Sequence, residues 1–389
     1  AGFAGLEVLE TIATRGPITP DHTIHTKLKP VILAEDIDLA INNYAEEYRK
    51  YFARNNRAEL TCLDPAPRFA VWKHKGLISF GQNVKRLQVI GDISRHTIKA
   101  IQWAEALGGW KALPENDLFD VEYWELEQAK LKKAGNSPAM EGKVVLVSGA
   151  ASGIGKACVE EFVAAGACVL ALDINPEVTS LFMSAQVKGL ICDVSDVAAM
   201  KEAIHAGVCT FGGLDIIVSN AGSFTPSEKL ADMSDEHWQT SLNLNLSSHM
   251  KLMRAALPFL EQGFEPAIVF IASKNVPAPG PGAGAYSTAK AGLTQMARVA
   301  ALELGGAGIR VNVLHPNAVF DTGVWDVETL EKRAQHYGLS VEEYKQNNVL
   351  KKEVTSQDVA VLARMFAGQE TACTTGAQVP VDGGNERVI

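Results

Sequence analysis

The stretch VVLVSGAASGIGKA at positions 144–157 decides the fold of most of this chain. Its first part is a continuous apolar run typical of a buried strand, and its second part is a glycine-rich turn that opens a helical pattern. A helix N-terminus offers free N–H donors and the positive end of the helix dipole to an anion. We therefore predict a phosphate-binding site at Gly149, Ser152, Gly153, Ile154 and Gly155.

Further apolar runs follow at intervals that leave room for a helix between each pair. Near-continuous apolar strands that alternate with helices predict a parallel sheet covered on both faces. We predict an α/β fold with a doubly wound parallel sheet of the Rossmann type, and a smaller α+β domain before it. The runs are CVLALD (168–173), GLICDV (189–194), LDIIVSNAG (214–222), AIVFIAS (267–273) and IRVNVLHP (309–316).

A composition break at 132–142, KKAGNSPAMEG, predicts a linker. Because 389 residues are many for one core, we expect two domains, residues 1–136 and 137–389. In the first domain, RFAVWKHKGLISFGQN predicts a hairpin around Gly76, and a long helix follows it.

Composition restricts the possible partners. The net charge is −9 and no basic run occurs, which argues against a nucleic-acid or membrane-surface role. The six cysteines form no CxxC pair, which favours a reducing compartment, and we expect a cytoplasmic protein. No apolar run approaches the roughly 20 residues that span a bilayer. The first residue is not Met, and we expect a piece of a longer protein.

Asp173 ends the second strand of the predicted sheet. A carboxylate at this position accepts hydrogen bonds from ribose hydroxyls and repels the 2′-phosphate of NADP. The glycine loop and the stretch LDIN contain no basic residue that would attract that phosphate. We predict NAD as the cofactor; the alternative is a solvated aspartate at a strand end.

Tyr286 and Lys290 share one face of a predicted helix, because they stand four residues apart in YSTAK. A charged lysine beside a phenol lowers the pKa of the phenol, which makes tyrosine a usable general acid and base. Ser273 ends the preceding strand, where a hydroxyl can bind the oxygen of a substrate. An exposed helix face would explain the Tyr-x-x-x-Lys spacing without any catalysis.

Residues 138–389 resemble the short-chain dehydrogenase/reductase family. The family's motifs occur in order: the glycine loop, an acidic residue at 173, CDV at 192–194, NAG at 220–222, Asn245 in WQTSLNLN, Ser273 thirteen residues before YSTAK, and TGAQVPVDGG at 375–384. The resemblance implies an oxidoreductase that transfers a hydride between a nicotinamide cofactor and an alcohol or a carbonyl compound.

The resemblance also implies residue roles. Tyr286 would donate and accept the proton, Ser273 would position the substrate oxygen, and Lys290 would tune Tyr286 and hold the nicotinamide ribose. Asn245 would support a proton-relay water beside Lys290; its alternative is a polar residue that bends a helix. The further cofactor contacts implied are Ile174, Asp193, Val194, Asn220, Ala221, Gly222, Pro316 and Val319. For Asp193 the alternative is the N-cap of the helix that follows.

One loop departs from the family pattern. Pro316 is followed by Asn317 where the family has glycine, and we expect this asparagine to adopt the left-handed conformation. Asp321 takes the place of the family's threonine, and Thr322 comes one residue later. The segment 317–352 stands where the family has its substrate lid, and its polar character with a few aromatics favours a small hydroxylated substrate over an acyl chain. The same residues would also suit a subunit contact.

Residues 1–136 carry stretches that resemble bifunctional rhamnulose-1-phosphate aldolase/alcohol dehydrogenases: RGPITPDHTIHTK (15–27), DPAPRF (64–69) and FDVEYWELEQAKL (119–131). In that family a zinc-dependent class II aldolase precedes the dehydrogenase, and its metal-binding histidine region does not occur in this chain. We therefore expect no metal site in residues 1–136 and no aldol cleavage by them alone. His22 and His25 are the alternative candidates for metal ligands.

That architecture implies a substrate, because aldol cleavage of a 6-deoxy-ketohexose 1-phosphate yields lactaldehyde. The leading hypothesis is an NAD-dependent dehydrogenase acting on lactaldehyde or a similar small hydroxylated compound in deoxy-sugar (rhamnose) catabolism, built as a homodimer or homotetramer. The alternatives are a 3-oxoacyl-type ketone reductase using NADPH, a non-catalytic cofactor sensor, and aldolase activity from a full-length N-terminal half.

Overall fold

The computed structural model describes residues 2–57, 59–131, 137–224, 226–323 and 325–385. It divides into two compact units, Ala1–Ser137 and Pro138–Ile389. The first residues of the predicted linker, 132–136, lie outside the described residues.

The first unit is built around a three-stranded mixed sheet in the order β1-β2-β3. β1 and β2 are parallel, whereas β2 and β3 form the predicted antiparallel hairpin. Its turn requires positive φ angles of 60° at His74 and 149° at Gly76. The strands are β1 Val31–Leu33, β2 Phe69–Trp72 and β3 Gly76–Ser79; the helices are α1 Leu9–Ala13, α2 Thr23–Thr26, α3 Ile37–Asn55, α4 Val84–Ala106, α5 Glu115–Glu122 and α6 Glu125–Leu131. The predicted α+β class of this unit is confirmed.

A buried polar cluster lies beneath α3 and α5. The carboxylate of Glu122 accepts hydrogen bonds from Tyr48 Oη at 2.8 Å and Tyr51 Oη at 3.1 Å. Lys27 Nζ lies 3.7 Å from the same carboxylate, and burial lowers the pKa of Lys27 to about 8. Such a network is stable only because nearly every polar atom in it has a partner.

The second unit contains a seven-stranded parallel sheet in the order β10-β9-β8-β7-β4-β5-β6. This confirms the predicted doubly wound fold. The strand order reverses between β4 and β7, and ligands of such sheets bind at the carboxyl ends of the strands beside that reversal. The strands are β4 Val144–Ser148, β5 Cys168–Asp173, β6 Val187–Ile191, β7 Ile216–Ser219, β8 Ala267–Ile271, β9 Arg310–Pro316 and β10 Gln378–Val381.

Helices cover both faces of this sheet. Side chains alternate between the faces, so that Val145 and Val147 of β4 pack in one apolar cluster and Leu146 in the other. The first cluster includes Phe162 of α7, and the second includes Leu293 of α11. The helices are α7 Gly153–Ala164, α8 Val197–Phe211, α9 Asp235–Leu242, α10 Ser248–Leu260, α11 Gly284–Leu304, α12 Val327–His336, α13 Val341–Lys345 and α14 Ser356–Ala367, with a π-helical turn at Asn243–Ser247 between α9 and α10.

One strand boundary and one strand differ from the sequence prediction. β6 ends at Ile191, so the CDV motif lies in the turn after the strand and not in the strand itself. β10 forms an edge strand within the TGAQVPVDGG motif, which was predicted as a motif and not as a strand. Among the described residues, no helix is long and apolar enough to cross a membrane.

Candidate active site

The glycine loop joins β4 to α7 at the carboxyl edge of the sheet. A methyl group built on Gly155 would lie 1.8 Å from the carbonyl oxygen of Gly149, so only glycine permits this approach. Gly149 and Gly153 have φ angles of 68° and 49°, which also favour glycine. The Ser152 side chain makes no capping hydrogen bond, so it does not compete for the N–H donors of the first turn of α7. The loop therefore fits an anionic phosphate group.

Asp173 connects the end of β5 to the glycine loop. Its Oδ2 accepts a hydrogen bond of 2.9 Å from the Ala151 N–H, and its Oδ1 accepts one of 2.9 Å from the Asn175 N–H. Within the described parts of the chain, no lysine or arginine forms an ion pair with Asp173. The carboxylate therefore places a negative charge beside the loop, and Ile174 next to it is 69% exposed.

The turn after β6 carries Asp193 and Val194. Asp193 Oδ1 accepts a hydrogen bond of 2.7 Å from the Ser195 N–H, and Val194 is buried. The N-cap of α8 is Asp196, which accepts from the Ala198 N–H at 2.8 Å. The alternative interpretation of Asp193 as the N-cap is therefore wrong, because the helix begins at Val197 and its N-cap lies three residues after Asp193.

Asn220 ties the end of β7 to the glycine loop. Its Nδ2 donates to the carbonyl oxygens of Ser148 at 3.0 Å and Gly149 at 3.3 Å. The N–H groups of Asn220 and Ala221 both donate to Ser148 Oγ, at 3.0 and 3.1 Å. This arrangement fixes the two strand ends on either side of the strand-order reversal.

Ser273, Tyr286 and Lys290 converge at the carboxyl end of β8; we call them the Ser-Tyr-Lys cluster. The Ser273 side chain interacts with the Tyr286 phenol and favours its charged form. Lys290 Nζ lies 5.9 Å from the centre of the Tyr286 ring and donates a hydrogen bond of 2.9 Å to the carbonyl oxygen of Ile271. The geometry thus unites three residues that lie up to 17 positions apart in the sequence.

The electrostatics of the cluster differ from the sequence expectation. Burial lowers the pKa of Lys290 to about 7, because the charged ammonium loses its hydration. Burial also raises the pKa of Tyr286, and the interaction with Ser273 opposes that rise only in part. The expected net lowering of the phenol pKa by Lys290 is therefore not found, since desolvation exceeds the favourable interactions. The phenol remains protonated at neutral pH.

Asn245 lies in the π-helical turn and is fully buried. Its Oδ1 accepts from the Ser223 N–H at 3.1 Å, and its Nδ2 donates to the Ser223 carbonyl oxygen at 3.0 Å. A methyl group built on Gly222 would lie 2.8 Å from Asn245 Oδ1 and 3.4 Å from Lys290 Nζ. The side chain therefore fixes the loop after β7 and borders the same small space as Lys290. The helix is also irregular at this residue, as the alternative interpretation implied.

The loop after β9 adopts the left-handed conformation one residue later than expected. Ala318 has a φ of 54°, whereas Asn317 is not among the residues with positive φ. The reason is a hydrogen bond of 2.9 Å from Asn317 Nδ2 to Asn385 Oδ1, together with one of 3.1 Å from the Asn317 N–H to the Val381 carbonyl oxygen. Pro316 ends β9 and is buried.

Val319 and Thr322 are joined by a hydrogen bond of 2.8 Å from Thr322 Oγ1 to the Val319 carbonyl oxygen. Val319 is 6% exposed and belongs to the apolar cluster that also contains Ala150 of the glycine loop. A methyl group built on Gly153 would lie 3.0 Å from Thr322 Cγ2. Asp321 accepts hydrogen bonds from the Ser356 N–H and Oγ, both at 2.9 Å. Thr322 therefore lies against the glycine loop, and Asp321 binds the first residue of α14, whose N-cap is Thr355.

The lid segment contains α12, α13 and a cluster of aromatic rings. Phe320 lies 4.9 Å from Trp325 and 5.7 Å from Tyr344, and Tyr337 stacks on Tyr344 at 5.7 Å. The rings therefore pack against one another and give the lid a small core of its own.

Three residues near the cluster were not predicted from the sequence. The Phe224 ring lies 4.9 Å from that of Tyr286 and is 39% exposed. Both the backbone N–H and Nδ2 of Asn275 donate to Ser273 Oγ, and His315 Nδ1 lies 3.0 Å from the Ser273 carbonyl oxygen. Proximity to Ser273 and Pro316 in the sequence was the available signal for Asn275 and His315. No sequence signal indicated Phe224.

The histidines of the first unit form no recognisable metal site. Burial lowers the pKa of both His22 and His25. In the parts of the chain that the structure describes, no group of three or more His, Cys, Asp or Glu side chains is arranged to hold a metal ion.

Comparison with known proteins agrees with this fold. Residues 149–386 match the family model described as enoyl-(acyl carrier protein) reductase, a short-chain dehydrogenase model, and residues 1–131 match the second domain of class II aldolases. The chain belongs to the short-chain dehydrogenase/reductase family of oxidoreductases, with a class II aldolase domain before it.

Two relatives illustrate this architecture, one over nearly the whole chain and one over the dehydrogenase part. The uncharacterized oxidoreductase YuxG of Bacillus subtilis is 31% identical over 95% of this chain, which spans 57% of the length of that relative. The 3-oxoacyl-[acyl-carrier-protein] reductase FabG of Thermotoga maritima is 32% identical over 63% of this chain and 98% of its own length. YuxG matches nearly the whole chain and therefore spans both units. FabG matches 63% of the chain, which is about the length of the dehydrogenase part.

Solved structures of nicotinamide enzymes share the fold of the second unit. A short-chain oxidoreductase of Pseudomonas aeruginosa bound to NADPH is 31% identical, with a TM-score of 0.58, and covers 64% of this chain and 98% of its own. Carveol dehydrogenase of Mycobacterium avium in complex with NAD is 28% identical, with a TM-score of 0.59, and covers 65% and 100%. Structural relatives of this chain therefore bind either cofactor.

Proposed function

We propose that the chain is an NAD-dependent oxidoreductase that transfers a hydride between nicotinamide and a small hydroxylated alcohol or aldehyde. The observation that carries the proposal is the Ser-Tyr-Lys cluster, in which the Ser273 side chain interacts with the Tyr286 phenol and Lys290 Nζ lies 5.9 Å from the centre of the Tyr286 ring. The cluster lies at the same edge of the sheet as the glycine loop, where a dinucleotide binds in doubly wound folds.

Each side chain of the cluster has a separate role in the transfer of the proton. A nicotinamide cofactor held at this site would supply the hydride for carbonyl reduction. Ser273 donates a hydrogen bond to the carbonyl oxygen, and Tyr286 transfers its phenolic proton to that oxygen as the C–H bond forms. Lys290 stabilises the resulting phenolate. In alcohol oxidation the same groups act in reverse, so Tyr286 must first lose its proton.

Cofactor choice rests on Asp173. Its carboxylate is held at the glycine loop by the Ala151 N–H, and it has no basic partner in the described residues. A second negative charge, the 2′-phosphate of NADP, would meet an uncompensated carboxylate there. Gly149 to Gly155, Ile174, Asp193, Val194, Asn220, Ala221, Gly222 and the backbone around Pro316 and Val319 would complete the cofactor site, with Tyr286 and Lys290 holding the nicotinamide ribose.

A comparison of kcat/KM for NAD and NADP with the wild-type chain and Asp173→Ser tests this assignment. We expect the wild-type chain to prefer NAD by at least about tenfold, since one close like-charge contact is worth more than about 1.4 kcal/mol. The Asp173→Ser variant should lose most of that preference, because the repulsion is removed. A wild-type preference for NADP would contradict the proposal.

We propose lactaldehyde as the substrate, in deoxy-sugar (rhamnose) catabolism. The class II aldolase match of residues 1–131 supports this choice, because an aldolase of the resembling architecture produces lactaldehyde. The aromatic rings of the lid pack on one another, which supports a compact substrate over a long acyl chain. An assay coupled to NAD(H) with L-lactaldehyde, other short hydroxyaldehydes, polyols and a 3-oxoacyl thioester tests it. The highest kcat/KM with the thioester would favour the 3-oxoacyl reductase alternative suggested by FabG.

We also propose a division into an aldolase-type domain at 1–136 and a dehydrogenase domain at 137–389, with the dehydrogenase active in a cytoplasmic homodimer or homotetramer. The outer side of α11 supports a subunit contact, because Val299 and Leu302 on it are 43% and 85% exposed. Light scattering on the purified chain tests this, and a monomer at micromolar concentration would contradict it.

A further inference from the structure

Asn275 follows Ser273 by two residues and contacts its hydroxyl group. The Asn275 N–H donates to Ser273 Oγ at 3.2 Å, and the side-chain Nδ2 donates to the same atom at 3.4 Å. A serine hydroxyl has two acceptor lone pairs and one proton to donate. Both acceptor positions of Ser273 Oγ are therefore occupied by Asn275, and its proton is left for another partner.

The backbone around Ser273 is also held on both sides. The Ala272 N–H donates to the Leu314 carbonyl oxygen at 2.8 Å, and the Lys274 N–H donates to that of Pro316 at 3.1 Å. His315 Nδ1 lies 3.0 Å from the Ser273 carbonyl oxygen and is buried with its side chain. The backbone at Ser273 is therefore fixed relative to Asn275, and the two donors of Asn275 define the direction of the Ser273 hydroxyl.

We infer that Asn275 is a positioning residue that fixes Ser273 as a hydrogen-bond donor toward Tyr286 and the substrate oxygen. This inference rests on the proposed function. Ser273 then acts only as a hydrogen-bond donor. Its hydroxyl stabilises negative charge on a substrate oxygen or a phenolate, and it does not accept a proton from an alcohol. Alcohol protons are then left to Tyr286 alone.

Two substitutions separate positioning from packing. Asn275→Asp keeps the size of the side chain but replaces its N–H donors with an acceptor, which attracts the Ser273 proton. Asn275→Ala removes the side chain but keeps the backbone N–H donor. Positioning therefore predicts that the Asp variant is the more damaged, whereas a packing role predicts that the near-isosteric Asp variant is the milder.

The expected losses in kcat for carbonyl reduction are about 3- to 10-fold for Asn275→Ala and about 100-fold or more for Asn275→Asp, the size of effect seen when one donor to an oxyanion is lost. The Kd for NADH should stay within about twofold in both variants. The Asp variant should recover activity as pH falls through the range in which a carboxyl group takes up a proton and donates again. Asn116→Asp, the same change at an exposed position of the first unit, controls for added charge and should behave as wild type.

A second readout does not depend on turnover. Ultraviolet difference titration against the Tyr286→Phe variant isolates the Tyr286 phenol, and its pKa should rise in the order wild type, Asn275→Ala, Asn275→Asp. Equal or greater activity of the Asp variant over the Ala variant, or an unchanged phenol pKa in both, would overturn the inference. A wild-type chain without turnover on any nicotinamide cofactor would instead refute the proposed function, and the titration would still decide the role of Asn275.

Discussion

Lys290 carries a stability cost that its function requires, and the cost depends on pH. The folded chain buries the Lys290 ammonium, and this burial lowers its pKa from 10.5 to about 7. Because the unfolded chain binds the proton more tightly, folding releases a proton between these two values and stability rises with pH there. Replacing Lys290 with Met removes both the charge and this dependence.

The size of the effect follows from the shift. Below pH 7 the free energy of unfolding is reduced by the full amount that corresponds to the difference of the two pKa values. This reduction decreases as pH rises toward 10.5. At about 1.4 kcal/mol per pKa unit, the wild-type chain should gain roughly 2.5 kcal/mol relative to Lys290→Met between pH 6 and pH 9. The hydrogen bond from Lys290 to the Ile271 carbonyl oxygen offsets part of the cost at every pH, so it leaves this slope nearly unchanged.

Urea denaturation of the full chain at several pH values measures the difference, with hydrogen exchange of the β8 peptide 267–271 reporting on the second unit. Lys201→Met, at an exposed position of α8, is the control and should show no such slope. A difference between wild type and Lys290→Met that stays constant from pH 6 to pH 9 would refute the reasoning, because it would mean that Lys290 keeps its proton in the folded chain.

Three further predictions concern the loops and the phenol. Gly155→Ala should cost about 3 kcal/mol and weaken NADH binding in a fluorescence titration, since its methyl group would lie 1.8 Å from the Gly149 carbonyl oxygen; Gly305→Ala, with open space around it, should be neutral. Ala318→Gly should raise the stability by about 1 kcal/mol in the same urea assay, because it relieves the φ of 54°; a loss would show that the strain is not real. Because burial raises the pKa of Tyr286, kcat/KM for alcohol oxidation should climb with pH above neutrality while that for carbonyl reduction stays level, and the opposite pattern would exclude Tyr286 as the proton carrier.

The sheet could be predicted from the sequence because its strands are buried on both faces. Apolar runs such as CVLALD and AIVFIAS are stable only when they are buried as strands of the sheet. Glycine is required at 149, 153 and 155 because the turn there leaves no room for a side chain. The edge strand β10 escaped prediction because only one of its four residues is fully buried, so its apolar pattern is weak.

Residues whose spacing has a chemical reason could be proposed for the candidate site from the sequence, whereas residues that reach it through tertiary contacts could not. Tyr286 and Lys290 share a helix face, whereas His315 and Phe224 reach the cluster only after the strands and loops are packed. The pKa of Tyr286 was expected in the wrong direction, because a sequence shows a neighbouring charge but not the desolvation that outweighs it. The left-handed conformation was assigned to Asn317 and not to Ala318 for a similar reason. The hydrogen-bond partner of Asn317 is Asn385, which is distant in the sequence and comes close only in the folded unit.

The most direct test of the central claim is the turnover of Tyr286→Phe with NADH and lactaldehyde, together with its Kd for NADH. The substitution removes one hydroxyl group and keeps the ring that packs on Phe224. The account predicts a loss of about 10³-fold or more in kcat with NADH affinity within about twofold of wild type. A variant that keeps more than about a tenth of the wild-type kcat would contradict the assignment of Tyr286 as the proton donor and acceptor.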